Sequence, residues 1–452
     1  MSYIPHTDED RRLMLETIGV DSILSLFGDI PKELLINGPL KDLPGALDEY
    51  GIVRELTAIA AKNGVAPQYI SFLGAGIYDH FIPSVVGAII ERGEFLTAYT
   101  PYQPEMSQGN LQAIYEYQSL VCELTGMEMS NASMYDAGSA LAEAALMAVA
   151  STDRTQILVS EAVHPHYRDC INTYAWAQGL EVTIVPAPDG LTEIDAVEKH
   201  ISDKTACVVS QYPNFFGQVE DLEALSNEAD KHGALSIVCV NPISLALLKP
   251  PGELGADIVV GEGQPLGSPM GFGGPLLGMF ACRKEFARRL PGRIIGRTTD
   301  KEGKQGFVMT LRAREQDIRR EKATSNICTN EALIALAASV FLSAVGKHGL
   351  RAMAEASLQN AHYASKELTK VAGVELRFNK CSFFNEFALK LPCNASHVRD
   401  ELIKEGLLGG LPLGSYYSQF EDTLLVAVTE KRTKAEIDHF AQALRRVCEE
   451  NQ

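Results

Sequence analysis

Nowhere in the 452 residues do two cysteines form a Cys-x-x-Cys pair. The nine cysteines, Cys122, Cys170, Cys207, Cys239, Cys282, Cys328, Cys381, Cys393 and Cys448, are odd in number and widely scattered. That excludes a zinc knuckle of familiar spacing and predicts free thiols in a reducing compartment. No G-x-x-x-x-G-K-[ST] occurs, so a P-loop is excluded. The N-terminus lacks a signal peptide's basic start and apolar run, since Met1 to Arg12 carries His6, Asp8, Glu9 and Asp10 instead. No apolar run is expected to approach the roughly 18 to 20 residues that cross a bilayer. Positive charge is also short: Lys+Arg 40 against Asp+Glu 58 gives a net charge of −18, which repels nucleic-acid phosphates and anionic membranes alike. The one dense basic stretch, Arg312 to Lys322, is interleaved with Glu315, Asp317 and Glu321 and reads as a solvated or salt-bridged face. A soluble cytoplasmic protein without nucleic-acid or membrane partners is predicted.

What is present is ordinary globular material. Hydrophobic residues make up 46% and charged residues 22%, enough to bury a core and to set aside disordered and fibrous classes. The length suits a large domain with a smaller one. Residues 1–65 read as an arm of short helices broken at Ile30-Pro31, Gly38-Pro39 and Leu43-Pro44-Gly45. Residues 66–330 then carry short apolar runs at 156–159, 182–185, 206–209, 235–240 and 257–260, with helical stretches near 139–150, 165–178, 191–202 and 219–232. Continuous rather than alternating hydrophobicity predicts strands buried on both faces, as in a parallel sheet covered by helices. Residues 331–452 change texture. Helices near 330–345 and 350–370, strands near 374–378, 384–391 and 423–428 and a last helix near 433–449 predict a small α+β domain. No internal repeat and no low-complexity segment is found.

The run Gly261-Glu262-Gly263-Gln264-Pro265-Leu266-Gly267 loosely resembles a dinucleotide fingerprint, but its spacing is off by one. Pro265 and Pro269 oppose the helix that must open there to meet a pyrophosphate. A long irregular loop after a central strand fits better, its glycines allowing close approach of a cofactor or a subunit.

Four motifs carry a family resemblance: Tyr99-Thr100-Pro101-Tyr102-Gln103-Pro104-Glu105 with Ser107-Gln108-Gly109, Gln211-Tyr212-Pro213-Asn214-Phe215-Phe216-Gly217, Gly271-Phe272-Gly273-Gly274-Pro275, and Arg314-Glu315-Gln316-Asp317-Ile318-Arg319-Arg320-Glu321-Lys322-Ala323-Thr324-Ser325-Asn326-Ile327. Together they resemble the glycine-cleavage P-protein family over nearly the whole chain. The resemblance implies an α/β pyridoxal-phosphate-dependent transferase-like fold (aspartate aminotransferase fold type I), with a large, mainly parallel sheet domain and a small C-terminal α+β domain. It also implies a glycine-decarboxylating activity. The length matches the counterpart of the N-terminal half, the first subunit where the enzyme is split in two.

Pyridoxal-phosphate chemistry needs a Schiff-base lysine, a carboxylate on the pyridine nitrogen, a stacked ring and a phosphate cup at a helix start. By the resemblance, the lysine's place falls on Gln264, and no lysine occurs between Lys249 and Lys284. The expected carboxylate is replaced by Asn241, which is neutral and cannot hold a pyridinium proton by charge. Gly138 and Ser139 open an Ala-rich helix and read either as a phosphate cup or as a plain cap, with Asp136 and Glu143 close by. His164 stands where relatives of the fold place the stacked ring, and reads equally as a structural histidine. No internal aldimine is expected on this chain, and pyridoxal phosphate is expected on a second subunit.

The resemblance further implies an α2β2 assembly with that cofactor-bearing subunit 2. Glycine would lose its carboxylate as CO2 there, and the aminomethyl group would pass to the lipoyl arm of H-protein, with no metal, nicotinamide or flavin in this chain. Tyr99, Thr100, Tyr102 and Gln103 are the candidates for a stiff aromatic loop that completes the partner's site, against a purely structural turn. A scaffold subunit that only stabilises subunit 2 or docks H-protein is the competing reading. The cluster Arg312, Arg314, Arg319 and Arg320 reads either as a carboxylate binder or as an ion-paired interface.

Overall fold

A computed structural model describes residues 5–36, 38, 40, 42–64, 69–271 and 273–450. The chain divides into two compact units, Met1–Val65 and Ala66–Gln452. The first unit is helical. Thr7 caps the helix Asp8–Ile18 in a capping box with Asp10, and Asp48 caps the helix Glu49–Ala60 through the Gly51 amide at 2.7 Å. Between them lie two short 3-10 turns, Ile23–Phe27 and Lys32–Leu34.

The second unit is built on a seven-stranded sheet in the order Met129–Ser130, Gly278–Cys282, Ile258–Glu262, Leu235–Val240, Thr205–Tyr212, Gln156–Ser160, Glu181–Val185. The five strands from Ile258–Glu262 to Glu181–Val185 run parallel, and Gly278–Cys282 is antiparallel to its neighbours. All five predicted runs are strands. In the four inner runs the β-branched side chains are buried on both faces, with Ile157, Val159, Val209, Ile237 and Val260 in one cluster and Val208, Val238 and Val259 in clusters on the other side; Glu181–Val185, at the sheet edge, is only half-buried, contrary to the expectation. Gly278–Cys282 escaped the sequence reading because Gly-Met-Phe-Ala-Cys contains no β-branched residue. Helices Ala137–Thr152, Pro165–Gln178, Ile194–His200 and Leu222–Lys231 cover the sheet near the predicted positions.

Two further expectations need correction. Residues 330–345 and 350–370 form one helix, Ala332–Leu368, interrupted only at Gly346 (φ 59°, ψ −178°). That helix is long and apolar enough to cross a membrane by length and composition, contrary to the expectation above. Its first half buries Leu336, Ala337, Ala338 and Phe341 against the sheet, which is what a core helix does. A four-stranded antiparallel sheet follows, in the order Glu375–Leu376, Glu386–Lys390, Thr423–Ala427, Leu411–Pro412, backed by the last helix Lys434–Glu450. Ile70–Ser71 pairs parallel with Leu407–Leu408, so the opening of this unit is fastened to its far end.

The parallel strands end together at Ser160, Tyr212, Val240 and Glu262. Loops leaving those carboxyl ends carry His164, Pro213, Asn241 and Gln264, the place where open parallel sheets put their ligands.

Candidate functional site

The helix Ala137–Thr152 points its start at these strand ends. Its cap is Asp136, whose carboxylate accepts the Ser139 amide at 2.8 Å while the Ser139 hydroxyl completes a capping box. Gly138 and Ser139 therefore lie inside the first turn rather than ahead of it. A second carboxylate sits at the same helix start. Glu262 accepts from the amides of Ala137 (3.2 Å), Gln264 (3.0 Å) and Leu277 (3.0 Å). Burial pushes its carboxyl up to about 7, against the pull of those three amides, and the Asp136 charge adds to the rise.

Gln264 is buried and fully engaged. Its Oε1 accepts from the Tyr78 amide at 3.0 Å, and its Nε2 donates to the carbonyls of Tyr78 (3.2 Å) and Ser268 (2.6 Å). The Tyr78 hydroxyl in turn donates to Glu386 at 2.8 Å, whose other oxygen accepts the Ala75 amide at 2.7 Å. Burial holds the Glu386 carboxyl up at about 7 against those two hydrogen bonds.

His164 caps the helix Pro165–Gln178, its Nδ1 accepting from the His166 amide at 3.2 Å. Its Nε2 lies 3.0 Å from the Ala75 carbonyl, so the proton resides on Nε2. Burial pushes its pKa down to about 4, against that carbonyl, and the ring is neutral. Tyr167 stacks on the ring at 4.3 Å and 20°. Room for the Tyr167 hydroxyl comes from Gly76, at φ +94°, where a Cβ would stand 2.9 Å from it. Asn241 spends its Oδ1 on the Ile243 amide at 3.1 Å and faces Asn385 at 3.5 Å.

These groups enclose a cavity of about 20 Å³ lined by Tyr78, Tyr167, Cys239, Asn241, Glu262 and Glu386 among others, space for about one water molecule. The Cys239 thiol is pushed up to about 12 by burial and the Glu262 charge, and is no nucleophile. The residues present do not fit pyridoxal phosphate. No amine is available at residue 264, the helix start already carries two carboxylates, the face of His164 is covered by Tyr167, and a water-sized space holds no pyridine ring. Of the predicted positions Asn241 lines the cavity; Gln264 and the helix start at Gly138 and Ser139 adjoin it through Glu262, and His164 through Tyr167. Sequence reading missed Tyr78, Tyr167, Glu262 and Glu386 there. Glu262 left a signal, an acid closing a buried apolar strand; Glu386 left none, being brought in by tertiary structure alone.

The loop with Tyr99, Thr100, Tyr102 and Gln103 stands apart from that cavity's lining. Tyr99 is 81% and Tyr102 52% exposed. The guanidinium groups of Arg312 and Arg293 lie 5.4 and 5.9 Å from the Tyr102 ring centroid. Residues 312–322 are exposed or half-buried with one exception. Arg312 pairs with Asp317, but Arg314 is buried and donates to the carbonyls of Leu290 and, at 2.8 Å, Gly292. For Arg314 the solvated-face reading is therefore replaced by a structural one: it ties off a buried turn. Phe272 of the Gly271–Pro275 motif and residues 65–68, at the predicted domain boundary, lie outside the described residues. The nine cysteines are free, and no group of three or more His, Cys, Asp or Glu is placed to hold a metal among the described residues.

The family model for the glycine cleavage system P-protein matches residues 1–444. A relative from Geobacillus kaustophilus named "Probable glycine dehydrogenase (decarboxylating) subunit 1" is 54% identical over 98% of both chains, and one of the same name from Carboxydothermus hydrogenoformans is 53% identical over 98% of this chain and 99% of its own. A crystal structure of glycine decarboxylase (P-protein) of the glycine cleavage system, in inhibitor-bound form, superposes with a TM-score of 0.92 at 45% identity, covering 99% of this chain and 100% of that one. A glutamate decarboxylase from Lactobacillus brevis, at 13% identity and a TM-score of 0.68 over 92% of this chain and 96% of its own, shares the fold. The architecture is the pyridoxal-phosphate-dependent transferase-like fold type I. The chain belongs to the glycine cleavage system P-protein family, among relatives named subunit 1 of glycine dehydrogenase (decarboxylating).

Proposed function

We propose that this chain is the cofactor-free member of a cytoplasmic, two-subunit glycine dehydrogenase, an α2β2 complex in which subunit 2 carries pyridoxal phosphate. The complex removes the carboxylate of glycine as CO2 and transfers the remaining aminomethyl group to the oxidised lipoyl arm of H-protein, whose disulfide is reduced in the exchange. The observation that supports this division of labour is Gln264, which by the resemblance falls at the lysine's place and is held by three hydrogen bonds to backbone. The three-part division into 1–65, 66–330 and 331–452 belongs to the same reading.

The part assigned to this chain's own residues is to complete the partner's site through Tyr99, Thr100, Tyr102 and Gln103. Two features support that role: the loop is exposed and serves no cavity at this chain's strand ends, and two arginines hold the Tyr102 ring. The test is co-expression with subunit 2 and assay of glycine decarboxylation with lipoylated H-protein. Tyr102→Ala and Gln103→Ala are expected to lower turnover about tenfold or more while the complex still elutes at its wild-type size. Tyr102→Phe, which keeps the ring between its cations, isolates the hydroxyl. Unchanged turnover in all three would leave only the scaffold role, and a fully active subunit 2 alone would remove the shared site altogether.

A further inference from the structure

The strand-end site differs from an empty cofactor site in more than its missing lysine. Glu262 places a carboxylate against the first amide of a 16-residue helix and gathers two more amides from Gln264 and Leu277. Asp136 takes a further amide of that helix's first turn. Tyr167 lays its ring on His164 at 4.3 Å, nearly parallel to it. Around them only water-sized space remains.

We propose that Glu262 and Tyr167 are built-in stand-ins for a ligand consisting of a phosphate and an aromatic ring, so that the site is closed by occupation and a lysine restored at 264 would not reopen it. Backbone amides at a helix start and in the adjoining turn call for oxygen acceptors, and Glu262 supplies them from carboxyl oxygens covalently tethered to the chain. An incoming phosphate would have to displace that carboxyl and then face Asp136 at short range in a buried setting, where like charges repel strongly. An incoming pyridine ring would need the face of His164 that Tyr167 covers. Gln264 is locked in the same way, because a lysine in its place offers no acceptor for the Tyr78 amide. The inference concerns this chain alone and stands or falls independently of the loop's service to a partner.

The experiment uses the full-length chain, with pyridoxal phosphate and inorganic phosphate as probes. Adducts are trapped by borohydride and mapped by peptide mass, which separates residue 264 from surface lysines. Wild type and Gln264→Lys are expected to give no adduct at 264 and no rise in melting temperature with inorganic phosphate. The triple variant Gln264→Lys, Glu262→Gly, Tyr167→Gly is expected to gain a saturable adduct at 264, labelled at least tenfold more than in Gln264→Lys. Glu262→Ser, in an otherwise wild-type background, is expected to melt lower and to recover with inorganic phosphate, which refills the vacated amides. An adduct in Gln264→Lys equal to that of the triple variant would overturn the proposal. So would a phosphate-dependent rise in the wild type as large as in Glu262→Ser, an outcome readable even where the triple variant does not fold.

Discussion

Stability should fall as pH rises from about 5 to about 8, and Glu386→Gln should remove a defined share of that fall. In the folded chain Glu386 titrates at about 7, against an ordinary value of 4.5, because burial outweighs its hydrogen bonds from Ala75 and Tyr78. The proton is held more tightly in the folded state. The contribution is therefore complete below about 4.5, declines through about 7 and is gone above it. At about 1.4 kcal/mol per pKa unit, the span corresponds to about 3 kcal/mol. Glu143 and Glu262 are raised to about 7 in the same direction, each by burial first, while His164, lowered to about 4, gains stability as pH rises toward its ordinary 6.5 and offsets part of the fall, so the Glu386 share is read as the difference in slope between the variant and wild type. Glutamine stays neutral, keeps a carbonyl for the Ala75 amide and can turn its NH2 to the Tyr78 oxygen. The variant should match wild type near pH 5 and exceed it by up to about 3 kcal/mol near pH 8. Urea unfolding of the full-length chain followed by circular dichroism is the assay, because the single tryptophan, Trp176, is 82% exposed and reports little of the core. An unchanged pH slope in Glu386→Gln would refute the reasoning.

Gly217→Ala should be among the most damaging single substitutions: the residue sits at φ +86° and an added Cβ would fall 1.8 Å from the Glu386 carbonyl oxygen. A loss on the order of 3 kcal/mol or more is expected, visible as insoluble protein or a collapsed melting temperature. Arg314→Lys should cost about 2 to 4 kcal/mol, since one ammonium cannot reproduce two guanidinium bonds to the carbonyls of Leu290 and Gly292. A variant melting with wild type would show that Arg314 does not hold that turn.

The parallel sheet was legible because Gln156–Val159, Ala206–Val209 and Leu235–Val240 are dense in β-branched residues between turn formers. The helix Pro165–Gln178 was legible from its proline start and its Gly179 C-cap, at φ +67°. Gly278–Cys282 was not, since it contains no β-branched residue and only Phe280 favours a strand; its place is set by pairing to Ile258–Glu262. Arg314 was misread for a related reason. Charge patterning sees the neighbouring acids in sequence, whereas the burial of one arginine depends on the turn at residues 290–292, folded against it. At the site, single positions such as Gln264 and Asn241 were readable because a resemblance told where to look. The closure by Tyr78 and Glu386 was not, because those contacts join segments as far as 311 residues apart; Tyr167 stacks on His164 only three residues away, but nothing in the local sequence marked that pairing.

That separation has a consequence for how the chain is made. The floor of the strand-end cavity is laid by Asn385 and Glu386, which meet Asn241, Ala75 and Tyr78 only after most of the polypeptide has left the ribosome. Until then the parallel strands can be complete while the Ala75 amide, the Tyr78 hydroxyl and the parallel pair Ile70–Ser71 with Leu407–Leu408 still lack their partners. Long loops of this kind charge their closure entropy before returning any contact. A nascent chain stopped short of residue 385 would thus carry the whole central sheet with its strand-end cavity unsealed, which makes the segment from residue 385 onward the step that commits the subunit to its closed form.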